Sequence, residues 1–211
     1  MARQGILGGT FNPVHWGHLH MARAALTQAQ LDRILWLPAG DPPHKPLAAG
    51  ATTAQRVEMV KRAIQGHPEF VYCPLEVERA GRSYAIVTVE ALQRQYPGDE
   101  WFWIIGADAF ADLPQWYRVK DLVTQVTWLV APRSEWADWQ GLWAAVQAEI
   151  GVEVRALPLR MPTVGISSTE IRQACQRGES IRAYVPPAVA SYIEEQRLYQ
   201  ESHHAPQHEE R

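Results

Sequence analysis

This sequence has few cysteines, no excess of positive charge and no long apolar runs. Its 211 residues include two cysteines, Cys73 and Cys175, and their lack of paired spacing favours reduced thiols in a cytoplasmic protein over a disulfide framework. The 20 lysines and arginines against 23 acidic residues give a net charge of −3, which argues against bulk binding to nucleic acid or to an anionic membrane. No apolar run approaches transmembrane length, and the first residues are too weakly apolar for a signal peptide.

The composition predicts a well-packed core. With 46% hydrophobic residues over 211 positions, the chain is long enough for one substantial domain, which we expect over residues 1–200, with a helical C-terminal part over about 165–200. Residues 201–211 are polar and rich in histidine, which predicts a disordered tail rather than a metal site. Four of the nine tryptophans fall in strand-like runs and are predicted to be buried: Trp36, Trp101, Trp103 and Trp128.

Strand-like and helix-like patterns alternate along the chain. The predicted strands are Gln4–Gly8, Arg33–Leu37, Phe70–Cys73, Trp101–Ile105, Thr127–Ala131 and Val152–Leu157. The predicted helices are His18–Gln28, one capped at Thr52 that runs to Ile64, Tyr84–Tyr96, Trp136–Ile150, one capped at Ser167 that runs to about Arg177, and Ala188–Tyr199. This alternation predicts a Rossmann-like α/β fold with a doubly wound, mostly parallel sheet. The ligand should then bind at the carboxyl ends of the strands, near the topological switch point.

The most informative segment runs from Gly8 to His18 and reads Gly-Gly-Thr-Phe-Asn-Pro-Val-His-Trp-Gly-His. It joins a strand end, a Gly/Asn/Pro turn and a helix start, which is how an open α/β sheet presents backbone N–H groups to a phosphate. His15 and His18 are three positions apart, so they would share one face of the first helical turn. Two imidazole donors beside a phosphate site indicate chemistry on the phosphate as well as binding.

A phosphate site accounts for this segment better than a purely structural turn or a zinc site does. A glycine turn followed by two surface histidines would be unremarkable alone, and neither standard phosphate fingerprint is present, since the G-x-G-x-x-G and G-x-x-x-x-G-K-[ST] spacings are absent. A zinc site at His15 and His18 is disfavoured, because a catalytic zinc needs three protein ligands and no third ligand cluster stands out. The hydroxyl of Thr10 and the close approach that Gly17 permits favour a phosphate site.

Three further segments place polar groups at strand ends or a helix start. Pro43–His44–Lys45 follows the second predicted strand, Gly106–Ala107–Asp108 follows the fourth, and Ser167–Arg172 combines a capping box with an arginine one turn later. In an arbitrary protein these would be a solvated loop lysine, a helix-capping aspartate and an exposed arginine. Beside the Gly8–His18 segment, we favour a lysine near phosphates, a carboxylate on a ribose hydroxyl and a clamp for a polyphosphate.

These segments together resemble the nucleotidyltransferase superfamily, whose mark is a (His/Thr)-x-Gly-His motif after the first strand. Within it, the chain is similar to the bacterial nicotinate-nucleotide adenylyltransferases. The similarity extends from about residue 5 to residue 199, and its matching segments are Gly8–Leu19, Pro42–Lys45, Gly81–Tyr84, Trp103–Arg118 and Ile166–Arg172. The first and last of them are specific to the superfamily, whereas the segments around Tyr84 and Trp116 point to the nicotinate branch.

The resemblance implies adenylyl transfer from ATP to nicotinate mononucleotide, giving deamido-NAD and pyrophosphate in NAD biosynthesis. The mononucleotide phosphate is a charged nucleophile, so positioning and charge neutralisation replace a general base. The catalytic residues would be His15, His18, Lys45 and Arg172; the ATP phosphates would be bound by Gly8, Gly9, Thr10, Ser167, Ser168 and Thr169; and the ribose and mononucleotide would be bound by Ser83, Tyr84, Ala85, Asp108, Trp116 and Tyr117. His18 would act at the α-phosphate and Trp116 would stack on the pyridine ring.

The same resemblance implies that ATP brings Mg²⁺, bound through its phosphates and water rather than by protein side chains. The expected partners are therefore small molecules, with no nucleic acid and no membrane, and a homo-oligomer is left open.

The chain departs from the family pattern at two positions. Ala85 replaces a common threonine and removes one side-chain contact to the pyridine half of the substrate, and Asn12 replaces a common aspartate. Four alternatives stay open: a nicotinamide-mononucleotide adenylyltransferase, a phosphopantetheine or cytidylyl transferase, a non-catalytic nucleotide sensor on the same fold, and a metal-binding regulator. The Trp116 segment argues against the second, and the set of His15, His18, Lys45 and Arg172 argues against the third.

Overall fold

A parallel sheet forms the centre of the molecule. The computed structural model describes residues 1–41, 50–132, 138–162, 165 and 167–200. Within them the strands are β1 (Arg3–Gly9), β2 (Arg33–Pro38), β3 (Phe70–Tyr72), β4 (Glu100–Gly106), β5 (Thr127–Ala131) and β6 (Ala156–Pro158). The helices are α1 (Trp16–Gln28), α2 (Thr53–Ile64), α3 (Ala85–Gln95), α4 (Ala107–Ala111), α5 (Val119–Val123), α6 (Trp139–Ile150), α7 (Ser168–Gln176) and α8 (Pro187–Glu195).

The strand order confirms the predicted doubly wound sheet. The order is β3-β2-β1-β4-β5-β6, and every neighbouring pair is parallel. The chain moves outward from β1 on one side and then returns to place β4 on the other side of β1. This reversal between β1 and β4 is the switch point at which open α/β sheets bind ligands.

Side chains that alternate along the strands build a core on each face of the sheet. On one face, Leu7, Trp36 and Ile104 pack in a cluster that includes residues of α1, α2, α7 and α8. On the other face, Ile6 and Trp103 pack in a cluster that includes residues of α3 to α6. The four tryptophans predicted to be buried are each no more than 5% exposed, and both cysteines are free thiols.

The two capping boxes predicted from the sequence are both present. The side chain of Thr52 accepts from the backbone N–H of Gln55 at 3.3 Å, and the Gln55 side chain accepts from the backbone N–H of Thr52 at 2.8 Å. Ser167 and Glu170 form the second predicted capping box, at the start of α7. Each box satisfies backbone donors that the helix leaves without a partner.

Several predicted boundaries were wrong. The first helix begins at Trp16 rather than His18, α6 begins at Trp139 with Asp138 as its cap, and α8 ends at Glu195. The strand predicted over Val152–Leu157 is reduced to β6, and α4 and α5 had no predicted counterpart. These elements are three to five residues long, too short for a periodic pattern to form. In the part of the chain that the structure describes, no helix is both long and apolar enough to cross a membrane.

Candidate active site

A cleft of about 910 Å³ lies at the carboxyl ends of β1, β4 and β5, beside the switch point. Its wall contains thirteen of the sequence-predicted site residues: Gly8, Gly9, Thr10, His15, His18, Ser83, Tyr84, Ala85, Asp108, Trp116, Tyr117, Ser167 and Ser168. Thr169 and Arg172 are outside the lining set, and Lys45 falls outside the described residues. The sheet therefore brings together segments that are up to 160 positions apart in the chain, as Gly8 and Ser168 are.

His15 and His18 form a capping box of imidazoles at the start of α1. The Nδ1 atom of His15 accepts a hydrogen bond from the backbone N–H of Gly17 at 3.1 Å. The Nδ1 atom of His18 accepts one from the backbone N–H of His15 at 3.2 Å. The two ring centroids are 3.9 Å apart, so the rings lie side by side as predicted from their spacing.

These two bonds assign the tautomer of both rings. A neutral imidazole carries one N–H and one acceptor nitrogen. Since both Nδ1 atoms accept from the backbone, the proton of each neutral ring is on Nε2. Each histidine therefore has one fixed N–H donor for a ligand in the cleft, and the backbone holds its orientation.

Both imidazoles are neutral near pH 7. Desolvation lowers the pKa of His15 from 6.5 to about 4. The pKa of His18 is lowered well below its ordinary value, first by desolvation and then by the charge of His15. An incoming polyphosphate would stabilise the charged form of either ring, so the site holds neutral donors whose basicity rises when the anion binds.

Acidification is expected to destabilise the fold through His15. Between pH 6.5 and pH 4 the unfolded chain binds a proton at this residue that the folded chain does not, so stability falls as the pH is lowered through that window. From the His15 pKa alone, the free energy of unfolding should drop by about 1 kcal/mol between pH 7 and pH 5.5. Chemical denaturation at both pH values measures it.

His15→Asn is the matched control for this pH dependence. Asparagine is a favoured N-cap, so it can replace the acceptor for the N–H of Gly17 without titrating. The variant should lose less stability than the wild type over the same pH interval. Equal pH dependence in the two proteins would rule out His15 as the source.

Ser83 and Glu76 organise one side of the cleft. The Ser83 hydroxyl oxygen accepts from the backbone N–H of Gly40 at 3.1 Å, and the Ser83 N–H donates to the carbonyl of Asp41 at 2.8 Å. Glu76 is 5% exposed and accepts from the Thr88 hydroxyl at 2.7 Å, while burial raises the pKa of its carboxyl. Ser83 therefore fastens the start of the loop after β2, and Glu76 is a buried cleft residue that sequence reasoning missed.

Aromatic side chains form the wall beyond the carboxyl end of β4. Trp116 packs edge to face against Trp103 and Trp128, with ring centroids 6.2 and 5.9 Å away. Tyr117, about half exposed, lies against Tyr84 with ring centroids 4.6 Å apart. Buried neighbours thus hold the indole of Trp116 in place, and the cleft offers aromatic surface to a flat ligand.

The start of α7 meets the Gly8–His18 segment from the opposite side. The Ser168 hydroxyl donates to the carbonyl of Pro13 at 2.9 Å, and Arg172 donates to the carbonyl of Asn12 at 2.8 Å and to the Thr169 hydroxyl at 3.2 Å. The Ser167 hydroxyl donates to Glu170 at 2.7 Å. In this arrangement Ser168 and Arg172 bond to carbonyls of the Gly8–His18 segment, and Ser167 and Ser168, at the start of α7, line the cleft.

The charged side chains of the described cleft wall are all acidic. They are Glu76, Asp108, Asp112 and Glu170, and the same part of the wall contains no lysine or arginine. Within the described ranges, no group of three or more His, Cys, Asp or Glu residues could hold a metal ion. Within the described wall, attraction for an anion can come from N–H donors, from a cation that the anion brings, or from charges behind the wall.

The chain is similar in sequence to a known protein family and to named bacterial proteins. A model of the cytidylyltransferase-like family matches residues 6–174. A protein of Synechococcus sp. strain JA-3-3Ab named "Probable nicotinate-nucleotide adenylyltransferase" is 53% identical over 197 residues, which cover 93% of this chain and 94% of that protein. A protein of Gloeobacter violaceus with the same name is 45% identical over 199 residues, covering 93% and 96%.

Among solved structures, the fold matches the Plasmodium falciparum nicotinic acid mononucleotide adenylyltransferase complexed with NaAD. The TM-score is 0.77 at 16% identity, and the match covers 94% of this chain and 98% of that one. At this identity the likeness shows the fold alone.

Proposed function

We infer the reaction from two premises: the chain belongs to the cytidylyltransferase-like family, in its branch of nicotinate-nucleotide adenylyltransferases, and its cleft presents two fixed imidazole donors. We propose that it transfers the adenylyl group of ATP to nicotinate mononucleotide and releases pyrophosphate, in the synthesis of deamido-NAD. The observation that carries the proposal is the pair of Nε2–H donors at a glycine turn beside the switch point. A site that only bound nucleotide would not need both donors fixed.

The reaction needs donors rather than a base. The phosphate of the mononucleotide is already an anion, and it attacks the α-phosphorus of ATP in line while the bond to the β-phosphate breaks. Negative charge develops on the bridging and leaving oxygens. His18 Nε2–H would donate to the α-phosphate and His15 Nε2–H to its neighbour, with the backbone at Gly8 and Gly9 and the Thr10 hydroxyl holding the reacting groups.

The acceptor half of the site is supported by α3 and the aromatic wall. Tyr84 and Ala85 line the cleft at the start of the 11-residue helix α3, and Tyr84, its N-cap, makes no side-chain capping bond, so the first amides of α3 would be available to a ligand there. Such amides favour an anion, here the carboxylate of the pyridine ring. Trp116 would stack on that ring, and Asp108, in the first turn of α4, would bond a ribose hydroxyl.

The leaving pyrophosphate would lie towards α7. Amides at the start of α7, near Ser167 and Ser168, would bind it, and Arg172 has guanidinium N–H donors beyond its two bonds to Asn12 and Thr169. Lys45 would cover the phosphates from the loop after β2. The serine hydroxyls already bond within the protein, so we assign the binding of pyrophosphate mainly to the amides and to Arg172.

The relatives' class of enzyme uses ATP, typically with a divalent metal ion, and we propose Mg²⁺. We expect the ion to be held by the phosphates and water, since Mg²⁺ usually keeps several waters and binds through substrate phosphates. Bound in this way, it would neutralise charge on the polyphosphate.

Pyrophosphate release with ATP tests the choice of acceptor, with nicotinate and nicotinamide mononucleotides compared at equal concentration. We expect kcat/KM to favour the nicotinate compound, because helix amides stabilise its carboxylate and give the neutral amide less. Equal rates, or a preference for the amide, would overturn the acceptor and leave the transfer reaction standing. No release with either compound would overturn the reaction itself.

A further inference from the structure

A fully buried arginine lies behind the turn Thr10–His15 that joins β1 to α1, which we call the phosphate turn. Arg56, on α2, is 0% exposed. Burial lowers its pKa, and its Nε–H is buried without a hydrogen-bond partner in the described part of the chain. No salt bridge between described residues reaches it. A buried charge without a carboxylate partner costs folding free energy, so stability alone does not account for it.

The guanidinium joins the two loops that flank the cleft. One terminal nitrogen donates to the carbonyl of Thr10 at 2.8 Å, and the other donates to the carbonyl of Ala39 at 2.8 Å and to the Thr53 hydroxyl at 3.1 Å. Thr10 belongs to the phosphate turn, and Ala39 opens the loop after β2. Both residues line the cleft, so the guanidinium adds a side-chain link to the backbone bond that the Ala39 N–H donates to the Gly9 carbonyl at 2.9 Å.

The bond to Thr10 also orients the turn. In a trans peptide the C=O and the following N–H point in opposite directions, so holding the Thr10 carbonyl towards Arg56 directs the Phe11 N–H away from the guanidinium. Phe11 has a φ of 49°, a left-handed conformation that costs free energy for a residue with a side chain. Arg172 holds the Asn12 carbonyl on the other side of Phe11, and the Phe11 ring lies 5.0 Å from that of His18.

The position of Arg56 also places a positive charge close to the acidic cleft wall. The described wall contains four carboxylates and no cationic side chain, whereas Arg56 lies directly behind the turn in a medium of low dielectric constant. There its charge is screened less than a surface charge would be.

From these contacts we propose that Arg56 is a positioning residue for the reaction with ATP. It fixes the Thr10–Phe11 peptide and the start of the loop after β2 in the geometry that receives the triphosphate, and it supplies positive potential from behind. The proposal rests on the proposed function for its substrate, ATP.

Two substitutions separate this role from a structural one. Arg56→Lys keeps the charge and one donor group, whereas Arg56→Met keeps volume alone. Methionine also removes the donors of the Thr10 and Ala39 carbonyls, so a lower melting temperature is expected for either role and does not separate them. A purely structural role predicts that each variant, where it is folded, keeps ATP affinity. A positioning role predicts that ATP affinity and kcat/KM fall about 10-fold or more with lysine and about 100-fold with methionine.

Arg62→Met is the matched control on the same helix. Arg62 pairs with Glu58 and Glu195 and stacks on Tyr192, outside the cleft, so its loss should lower the melting temperature and leave ATP affinity unchanged. Calorimetric titration of ATP without acceptor, together with steady-state kinetics at a temperature where each variant is folded, gives the result.

The proposal would be overturned if the Arg56→Met variant bound ATP as tightly as the Arg56→Lys variant. It would also be overturned if the ATP affinity of either variant were within twofold of the wild-type value. If the methionine variant does not fold, the lysine variant gives the answer alone, because an ammonium group lacks the planar fork that holds the two carbonyls in fixed directions. If the wild-type protein binds ATP but releases no pyrophosphate, the proposed function is overturned. The ATP affinities of the variants would still test whether Arg56 positions the site for ATP.

Discussion

His18→Ala is expected to fold and to lower kcat for dinucleotide formation by about two to three orders of magnitude. Its Nε2–H is the donor assigned to the α-phosphate, where negative charge develops as the bond to pyrophosphate breaks. The Nδ1 bond to the His15 backbone orients that donor before the substrate arrives, so alanine removes a stabilisation that water cannot replace in the same geometry. Steady-state pyrophosphate release at saturating ATP and mononucleotide measures the effect.

His20→Ala is the control for His18→Ala. His20 lies on the same helix, with its ring against Trp16 at 6.3 Å, and it is not part of the described cleft wall. It should keep near wild-type kcat even if its melting temperature falls. If thermal melting shows that the His18→Ala variant is folded, and its kcat is near that of the wild type, His18 has no part in the mechanism.

Trp116→Ala is expected to raise KM for the mononucleotide about 10- to 100-fold, since stacking on a flat ring is worth about 1–3 kcal/mol. The effect should be confined to the acceptor, because we propose that the ATP phosphates bind at the other end of the cleft, near His15 and His18. KM for each substrate at saturating concentration of the other gives the comparison.

Trp116→Phe separates stacking from packing. The indole also packs against Trp103 and Trp128, so alanine leaves a cavity and lowers stability. Phenylalanine keeps an aromatic face and should restore most of the mononucleotide affinity. If alanine raises KM for ATP and for the mononucleotide equally, Trp116 acts through the fold and not through the pyridine ring.

Features that depend on a few adjacent residues could be predicted from the sequence. The capping boxes at Thr52 and Ser167 need only a hydroxyl and a partner three positions later. The five-residue apolar run Trp101–Ile105 also marks a strand buried on both faces, as β4 is. The short elements α4, α5 and β6 are fixed by tertiary contacts, and they are too short for a helical or strand period in hydrophobicity to predict them.

The candidate site shows the same division. The Gly8–His18 segment carries its own signal, and parallel strands place the other predicted segments at the same edge. Arg56 carries none, because its partners Thr10 and Ala39 are 46 and 17 positions away and an arginine within an amphipathic helix predicts an exposed side chain. The side-chain hydroxyls of Ser83 and Ser168 were predicted for ligands, and their bonds to Gly40 and Pro13 depend on the folded arrangement of loops.

The fate of the two ends of ATP shows which phosphorus the mononucleotide attacks. ATP labelled at the α-phosphorus and, separately, at the γ-phosphorus would be incubated with the protein, Mg²⁺ and nicotinate mononucleotide, and the labelled products would be separated. An α-phosphorus held at His18 predicts α-label in the dinucleotide and γ-label in pyrophosphate. Transfer of γ-label to the mononucleotide, or release of γ-label as inorganic phosphate, would contradict attack at the α-phosphorus.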